Sequence, residues 1–268
     1  MGNFLKRFIL DPLDDVWFSY VKIMESLGWD EAVNSKIYKS SVFLVGNLLR
    51  TLYDFEVKNA EYIPDEGRVI HCINHQSEVD VLAFGIAAGH GKSKRHLHQM
   101  AKVELFKIPL INGYIRTHFT FPLERGEQDI LSYQHAKDLL EKEEMVGIYP
   151  EGTINPGMGR FLEGHTGAVR LAYETNSPIL PTAIFGTDMI YGKGAKFPRF
   201  SGKIILRYGK LMNHGEIFGD LDSEDPKFYK KATKRVMRRI QDMYFQIFQE
   251  QNEKTKKSKI KSKSKENK

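Results

Sequence analysis

The sequence predicts an α/β fold. A central mixed sheet is flanked by helices, with an N-terminal helical segment and a long C-terminal helix. Three observations carry this. From about residue 60, short β-branched or apolar runs alternate with stretches of helical periodicity. Before that point the apolar residues recur at helical spacing only. One long helical stretch, from about Asp225 to Glu250, closes the pattern. At 268 residues, with 41% hydrophobic and 28% charged side chains, the chain can bury a substantial core.

The elements follow in order. Residues 1–55 read as two or three helices packed on the core or on a membrane. Leu13, Val16, Trp17, Tyr20, Val21, Met24 and Leu27 form one apolar stripe. Val42, Phe43, Val45, Leu48, Leu49 and Leu52 form a second. Residues 56–250 form the main domain. Arg68–Ile73 reads as a strand and Val79–Ala88 as a helix. His96–Ala101 and Ile115–Leu123 read as strands, then Glu127–Glu143 as a helix. Met145–Tyr149 is a strand and His165–Thr175 a helix. Ile179–Phe185 and Lys203–Tyr208 are the last strands.

Residues 251–268 read as a disordered Lys-rich tail. Eight lysines against two glutamates within residues 253–268 account for the whole net charge of +6. The rest of the chain is formally neutral, so the basic pI does not imply a nucleic-acid partner. The tail serves either solubility or attraction to anionic lipid. No secretory signal is apparent, and no run reaches the ~18 to 20 apolar residues of a membrane span. The single cysteine, Cys72, sits in the apolar run 69–73 and reads as a buried thiol.

Two segments can carry chemistry. Asn74-His75-Gln76-Ser77-Glu78-Val79-Asp80 follows a buried-type strand and opens a helix. If a turn brings His75 and Asp80 together, the carboxylate fixes the imidazole tautomer and leaves the other nitrogen as a base. The same residues fit a Ser-x-x-Asp capping box, in which Asp80 only ends a helix. Both readings stand on these residues alone. Tyr149-Pro150-Glu151-Gly152-Thr153 follows another strand; its Pro and Gly make a turn that can aim Glu151 and backbone N–H groups into a site. Lys102 and Arg125 lie near strand ends, where cations can hold a phosphate or simply face solvent.

Gly91-Lys92-Ser93 lacks the glycine a phosphate-binding loop needs at position 86, which is Ile86. His96 and His98 have no supporting cysteines or carboxylate cluster for zinc and should share one strand face. No Gly-x-Ser-x-Gly elbow occurs.

Taken in order, four blocks resemble the glycerolipid acyltransferase family, whose best-known members are lysophosphatidate acyltransferases. They are Asn74-His75 with Asp80, Phe121-Pro122-Leu123-Glu124-Arg125, Tyr149-Pro150-Glu151-Gly152-Thr153, and Pro178-Ile179-Leu180-Pro181. Ala101-Lys102-Val103-Glu104-Leu105 and Ile108-Pro109-Leu110-Ile111 resemble the family's segment between the first two blocks. The similarity spans about residues 60–210.

The resemblance implies that His75 takes the proton from an acceptor hydroxyl as it attacks an acyl thioester, while Asp80 orients His75. It implies that Lys102, Arg125, Glu151, Gly152 and Thr153 bind the acceptor, and that Pro178 and its neighbours line the acyl-donor side or hold the fold. No metal and no resident cofactor are implied; acyl-CoA or an acyl carrier protein enters as co-substrate. The expected acceptor is 1-acylglycerol-3-phosphate, in phospholipid synthesis, with another lysolipid as the alternative. The expected location is peripheral or monotopic at the cytoplasmic face of a membrane, reached through the N-terminal helices and the tail.

The chain departs from the family at one place: Ile154 stands where an arginine often follows Glu-Gly-Thr. Arg160, Lys102 or Arg170 could supply the missing cation. Two other readings remain: a hydrolase or acyl-enzyme transferase using Ser77 with His75, and an inactive lipid-binding scaffold.

Overall fold

A computed structural model describes residues 30–89, 95–102, 118–123 and 130–266. The expected helix over Leu13–Leu27, both tryptophans and Arg125 lie outside the described residues.

The chain runs through α1 (Asp30–Leu52), β1 (Asp54–Lys58), a 3-10 turn (Ala60–Tyr62), β2 (Val69–Ile73) and α2 (Val79–Ala88). It continues through β3 (Leu97–Lys102), β4 (Phe121–Leu123), α3 (Ile130–Glu141), β5 (Met145–Ile148) and α4 (Gly167–Thr175). It ends with β6 (Ile179–Phe185), α5 (Thr187–Tyr191), β7 (Lys203–Tyr208), α6 (His214–Phe218) and α7 (Phe228–Glu266). The seven strands make one sheet in the order β1-β7-β6-β2-β5-β3-β4. Only β6 and β7 pair antiparallel, so the sheet is mixed, as expected.

The middle strands explain the layering. Every residue of β2 and β6 is buried. A strand covered on both faces reads as a continuous apolar run, which is the pattern at 69–73 and 179–185. Ile70, Cys72, Val146 and Ile179 join α3, α4 and α7 in one core. Val69, Ile73, Leu180 and Ile184 join α1 and α2 in the other. Alternate residues of one strand therefore serve opposite layers. Cys72 is fully enclosed, and burial pushes its thiol well above the usual range.

Several expectations need adjustment. β4 is only three residues long, and His118 and Phe119 before it form a turn. β1 was not expected; Asp54-Phe55-Glu56-Val57-Lys58 is polar because it is an edge strand with one neighbour, β7. The five-residue helices α5 and α6 are too short to show a period. α1 buries Tyr38 and Leu49 but exposes Phe43, Leu44 and Leu48, so its apolar run is split between core and surface. The last helix runs on to Glu266, through most of the segment expected to be unfolded. The physical reason is composition: after Pro226 the chain holds no glycine or proline, and Lys, Gln and Glu are good helix formers. Among the described residues, no helix is long and apolar enough to cross a membrane.

Candidate active site

The parallel strands β2, β5 and β6 all end at one side of the sheet, where open α/β folds place their ligands. β2 delivers Asn74 and His75 to that side. Asn74 is locked to β6 through both ends of its amide: Nδ2 donates to the Ile184 carbonyl at 2.9 Å, and Oδ1 accepts from Ile184 N–H at 2.8 Å. The chain then turns tightly into α2, whose first turn carries Asp80.

Asp80 is fully buried and its carboxylate meets four donors. Oδ2 lies 2.9 Å from His75 Nδ1 and accepts the backbone N–H groups of Gln76 at 2.6 Å and Ser77 at 2.8 Å. Oδ1 accepts the Thr187 hydroxyl at 2.6 Å. The capping box is only half formed: Asp80 accepts the Ser77 N–H, but the Ser77 hydroxyl accepts Val79 N–H and not that of Asp80. Asp80 instead ties down the turn before α2 and holds the imidazole. With Nδ1–H donating to Asp80, Nε2 is the basic nitrogen, and it has no hydrogen-bond partner among the described residues. The His75 ring sits over Tyr149, centroids 4.4 Å apart, and its side chain is only 10% exposed.

The backbone of His75 is held separately. Its N–H donates to Glu151 Oε1 at 3.0 Å, and its carbonyl accepts Asn155 N–H at 2.7 Å. Glu151 also accepts the Asn155 amide on both oxygens, at 2.9 and 3.0 Å, and Leu162 N–H on Oε2 at 2.7 Å. Burial raises the Glu151 pKa, and the hydrogen bonds from Leu162, His75 and Asn155 oppose that rise. Gly152 has φ of +64°, and a Cβ there would come within 2.8 Å of the His165 ring, so both conformation and space call for glycine.

A histidine held at Nδ1 by a buried carboxylate, with Nε2 left unbonded among the described residues, has the arrangement a general base requires. A family model described as Acyltransferase matches residues 54–185. The 1-acyl-sn-glycerol-3-phosphate acyltransferase of Bacillus subtilis is 31% identical over 157 residues, covering 58% of this chain and 69% of that one.

The chain belongs to the glycerolipid acyltransferase family.

Its enzyme class is therefore O-acyltransferase. The namesake enzyme of Limnanthes alba is 29% identical over 157 residues; that alignment covers 56% of this chain and 53% of the plant protein. The crystal structure of the 1-acyl-sn-glycerophosphate (LPA) acyltransferase of Thermotoga maritima superposes with a TM-score of 0.59 at 22% identity. It covers 85% of this chain and 94% of the other, so the fold is that of the family.

Of the expected site residues, the structure brings His75, Asp80 and Glu151 into direct contact. Gly152 and Thr153 continue the Glu151 turn. Lys102 ends β3 at the same side of the sheet; its side chain, like all of Arg125, lies outside the described residues. Both Glu151 oxygens accept protein N–H groups, so Glu151 grips the turn that carries His75. Ile154 is buried. Of its possible substitutes, Arg160 donates to the Pro156 carbonyl at 3.0 Å, and Arg170 bonds Thr166 and lies over the Tyr229 ring. Pro178 and Pro181 lend carbonyls to Ile70 and Gly209 N–H groups, stitching the sheet together. His96 and His98 both pack on Phe119, as residues of one face do.

Sequence reasoning missed Thr187 and Asn155. Thr187 acts across 107 positions, which no local pattern shows. The Ser77 hydroxyl donates to the Tyr191 carbonyl at 2.7 Å and accepts Val79 N–H at 3.1 Å. It is engaged away from His75, which weighs against an acyl-enzyme on Ser77.

Proposed function

We propose that the protein transfers a fatty acyl group from an acyl thioester to the free hydroxyl of a lysophospholipid, with 1-acylglycerol-3-phosphate as the acceptor and phospholipid synthesis as the context. The observation that carries this is the His75–Asp80 pair after β2, with Nδ1 held by the carboxylate so that Nε2 is the nitrogen left for a proton. The names of the relatives support the acceptor.

In this reading His75 Nε2 takes the hydroxyl proton as the oxygen attacks the thioester carbonyl. The tetrahedral intermediate collapses, the C–S bond breaks, and the imidazolium returns its proton to the thiolate. Asp80 stabilises the imidazolium between these steps. No serine nucleophile is needed, because the thioester is already activated and positioning supplies much of the rest. Acyl-CoA or an acyl carrier protein serves as donor; no resident cofactor takes part. The buried Ile154 favours a second acceptor, a lysolipid whose headgroup does not require an arginine at that position. The enzyme would work as a peripheral or monotopic protein at the cytoplasmic face of a membrane, docked by the N-terminal segment and assisted by the lysines after residue 253.

The test is transfer of labelled acyl groups from acyl-CoA and from acyl carrier protein to a panel of lysolipids and glycerol phosphate. His75→Ala should lower turnover about 10²- to 10⁴-fold on the preferred acceptor. Wild-type protein inert on the whole panel, or His75→Ala as active as wild type, would overturn the reading.

A further inference from the structure

The connection between α5 and β7 has an unusual composition. Residues 193–202 are all exposed and read Lys-Gly-Ala-Lys-Phe-Pro-Arg-Phe-Ser-Gly. The segment holds three cations, two phenylalanines and no acid. No Asp or Glu occurs between Asp188 and Glu216. Phe197 is 82% exposed and Phe200 74%. Scattered apolar residues on a surface need no account, but two large rings on one pinned loop do.

The loop is pinned through its backbone. Ala195 N–H donates to the Gly192 carbonyl at 3.0 Å, and Arg199 N–H to the Ile190 carbonyl at 2.9 Å. The Tyr53 hydroxyl donates to the Arg199 carbonyl at 3.0 Å, and Asp54 N–H to the Gly202 carbonyl at 2.9 Å. Four backbone groups thus hold the loop while both rings are exposed.

Its place in the fold gives this meaning. β6 ends where β2 ends, and β7 runs back antiparallel, with Phe185 opposite Ile205. The α5 connection therefore lies on the same side as His75. α5 is also fastened to the catalytic turn at both ends: Thr187 donates to Asp80, and the Tyr191 carbonyl accepts from Ser77. Met158, 81% exposed, belongs to the loop after Glu151, and its N–H donates to Asp188 of α5 at 2.7 Å. Met189 is exposed as well.

We propose that residues 193–202 dock the catalytic side of the sheet onto an anionic lipid bilayer. Phe197 and Phe200 enter the interface, while Lys193, Lys196 and Arg199 lie among the headgroups. Charge selects the occupant. Charge complementarity favours anionic headgroups: Lys193, Lys196 and Arg199 make no ion pair among the described residues, the nearby Asp54 and Glu56 being taken by Lys203, and a second copy of the same cationic loop would be repelled. The purpose of the surface, bringing His75 to a lipid acceptor, rests on the proposed function; the surface itself does not.

The experiment is co-sedimentation of the full chain with vesicles of phosphatidylcholine alone and of phosphatidylcholine with phosphatidylglycerol. Phe197→Ser with Phe200→Ser should lower partition into both vesicle types about tenfold or more. Replacing Lys193, Lys196 and Arg199 by Gln should lower partition only into the anionic vesicles, by about fivefold per cation at low salt, with the effect fading as salt rises. Both variants should melt like wild type and acylate a monomeric short-chain acceptor at the wild-type rate. The proposal falls if either variant binds anionic vesicles as wild type does. It also falls if wild type is a dimer that the phenylalanine variant splits while vesicle binding stays unchanged. If the variants lose vesicle binding as stated but wild type acylates nothing, the docking surface stands and the transferase reading fails.

Discussion

Two turns at the carboxyl ends of neighbouring strands each bury a carboxylate beside His75, and they use it differently. In the turn after β2, Asp80 holds the ring through Nδ1. In the turn after β5, Glu151 holds the main chain through His75 N–H. Asp80 spends one oxygen on three N–H donors and keeps the other for a hydroxyl, which can donate or accept. Glu151 faces N–H donors on both oxygens. In the proposed reaction, the first turn serves a proton that moves. The second is built around a backbone that must not.

Substitutions that keep shape and remove charge test this contrast. The largest effect belongs to Asp80→Asn. The remaining oxygen can still meet the three N–H groups, and the new amide can donate to Thr187 once its hydroxyl turns. The fold should hold, while turnover should fall about 10²- to 10⁴-fold, because nothing then stabilises the imidazolium. Steady-state kinetics and a thermal melt together check this; a loss of melting temperature matching the loss of rate would erase the distinction.

Glu151→Gln comes next and should behave in the opposite way. Whichever way the amide turns, its NH₂ meets a donor, leaving a buried polar group unpaired. The expected cost is about 1–3 kcal/mol in stability, read as a lower denaturant midpoint. Any loss of rate should be smaller than for Asp80→Asn, and the pH profile of kcat should keep its shape. A shifted profile would mean that Glu151 acts in the chemistry.

At pH 7 the smallest effect on turnover concerns His71, in the middle of β2, whose role shows only as pH falls. It lies buried between Phe84 and Tyr208, and burial pulls its pKa down to about 3. The folded value lies below the unfolded one, near 6.5, so the unfolded chain takes up the proton first. Its contribution to stability is present above about pH 6.5 and is lost as pH falls toward 3, by at most about 1.4 kcal/mol per pH unit. Urea melts at several pH values should show this slope in wild type and a flatter one in His71→Phe. Equal slopes would show that His71 is not the group responsible.

Much of the fold could be read from the chain. α2, β6 and β7 have the expected bounds because their apolar runs are buried in the middle of a covered layer. β1, α5 and α6 were not visible: an edge strand needs no apolar run, and a five-residue helix is little more than one turn. The site divides in the same way. His75 and Asp80 lie five residues apart and meet within one turn, so spacing allowed the pair, and its resemblance, with three further blocks in order, to one family favoured it over a helix cap. Glu151 was found, but its hold on the His75 backbone was not, because a sequence does not show which way a carboxylate faces. Asn155 and Thr187 were not found, since their partners are set by how the loops return to the sheet.

The sequence by itself determined the alternation of strand and helix and the local turns, among them the one that carries His75 and Asp80. These rest on periodicity and on contacts between residues a few positions apart. The tertiary structure alone decided that Glu151 faces inward, that Thr187 completes the bonds of Asp80, and that the cationic loop 193–202 shares a side of the sheet with His75. Those facts depend on which strands pair and in which direction. Strand pairing is settled by burial summed over the whole sheet, which no short stretch of sequence contains.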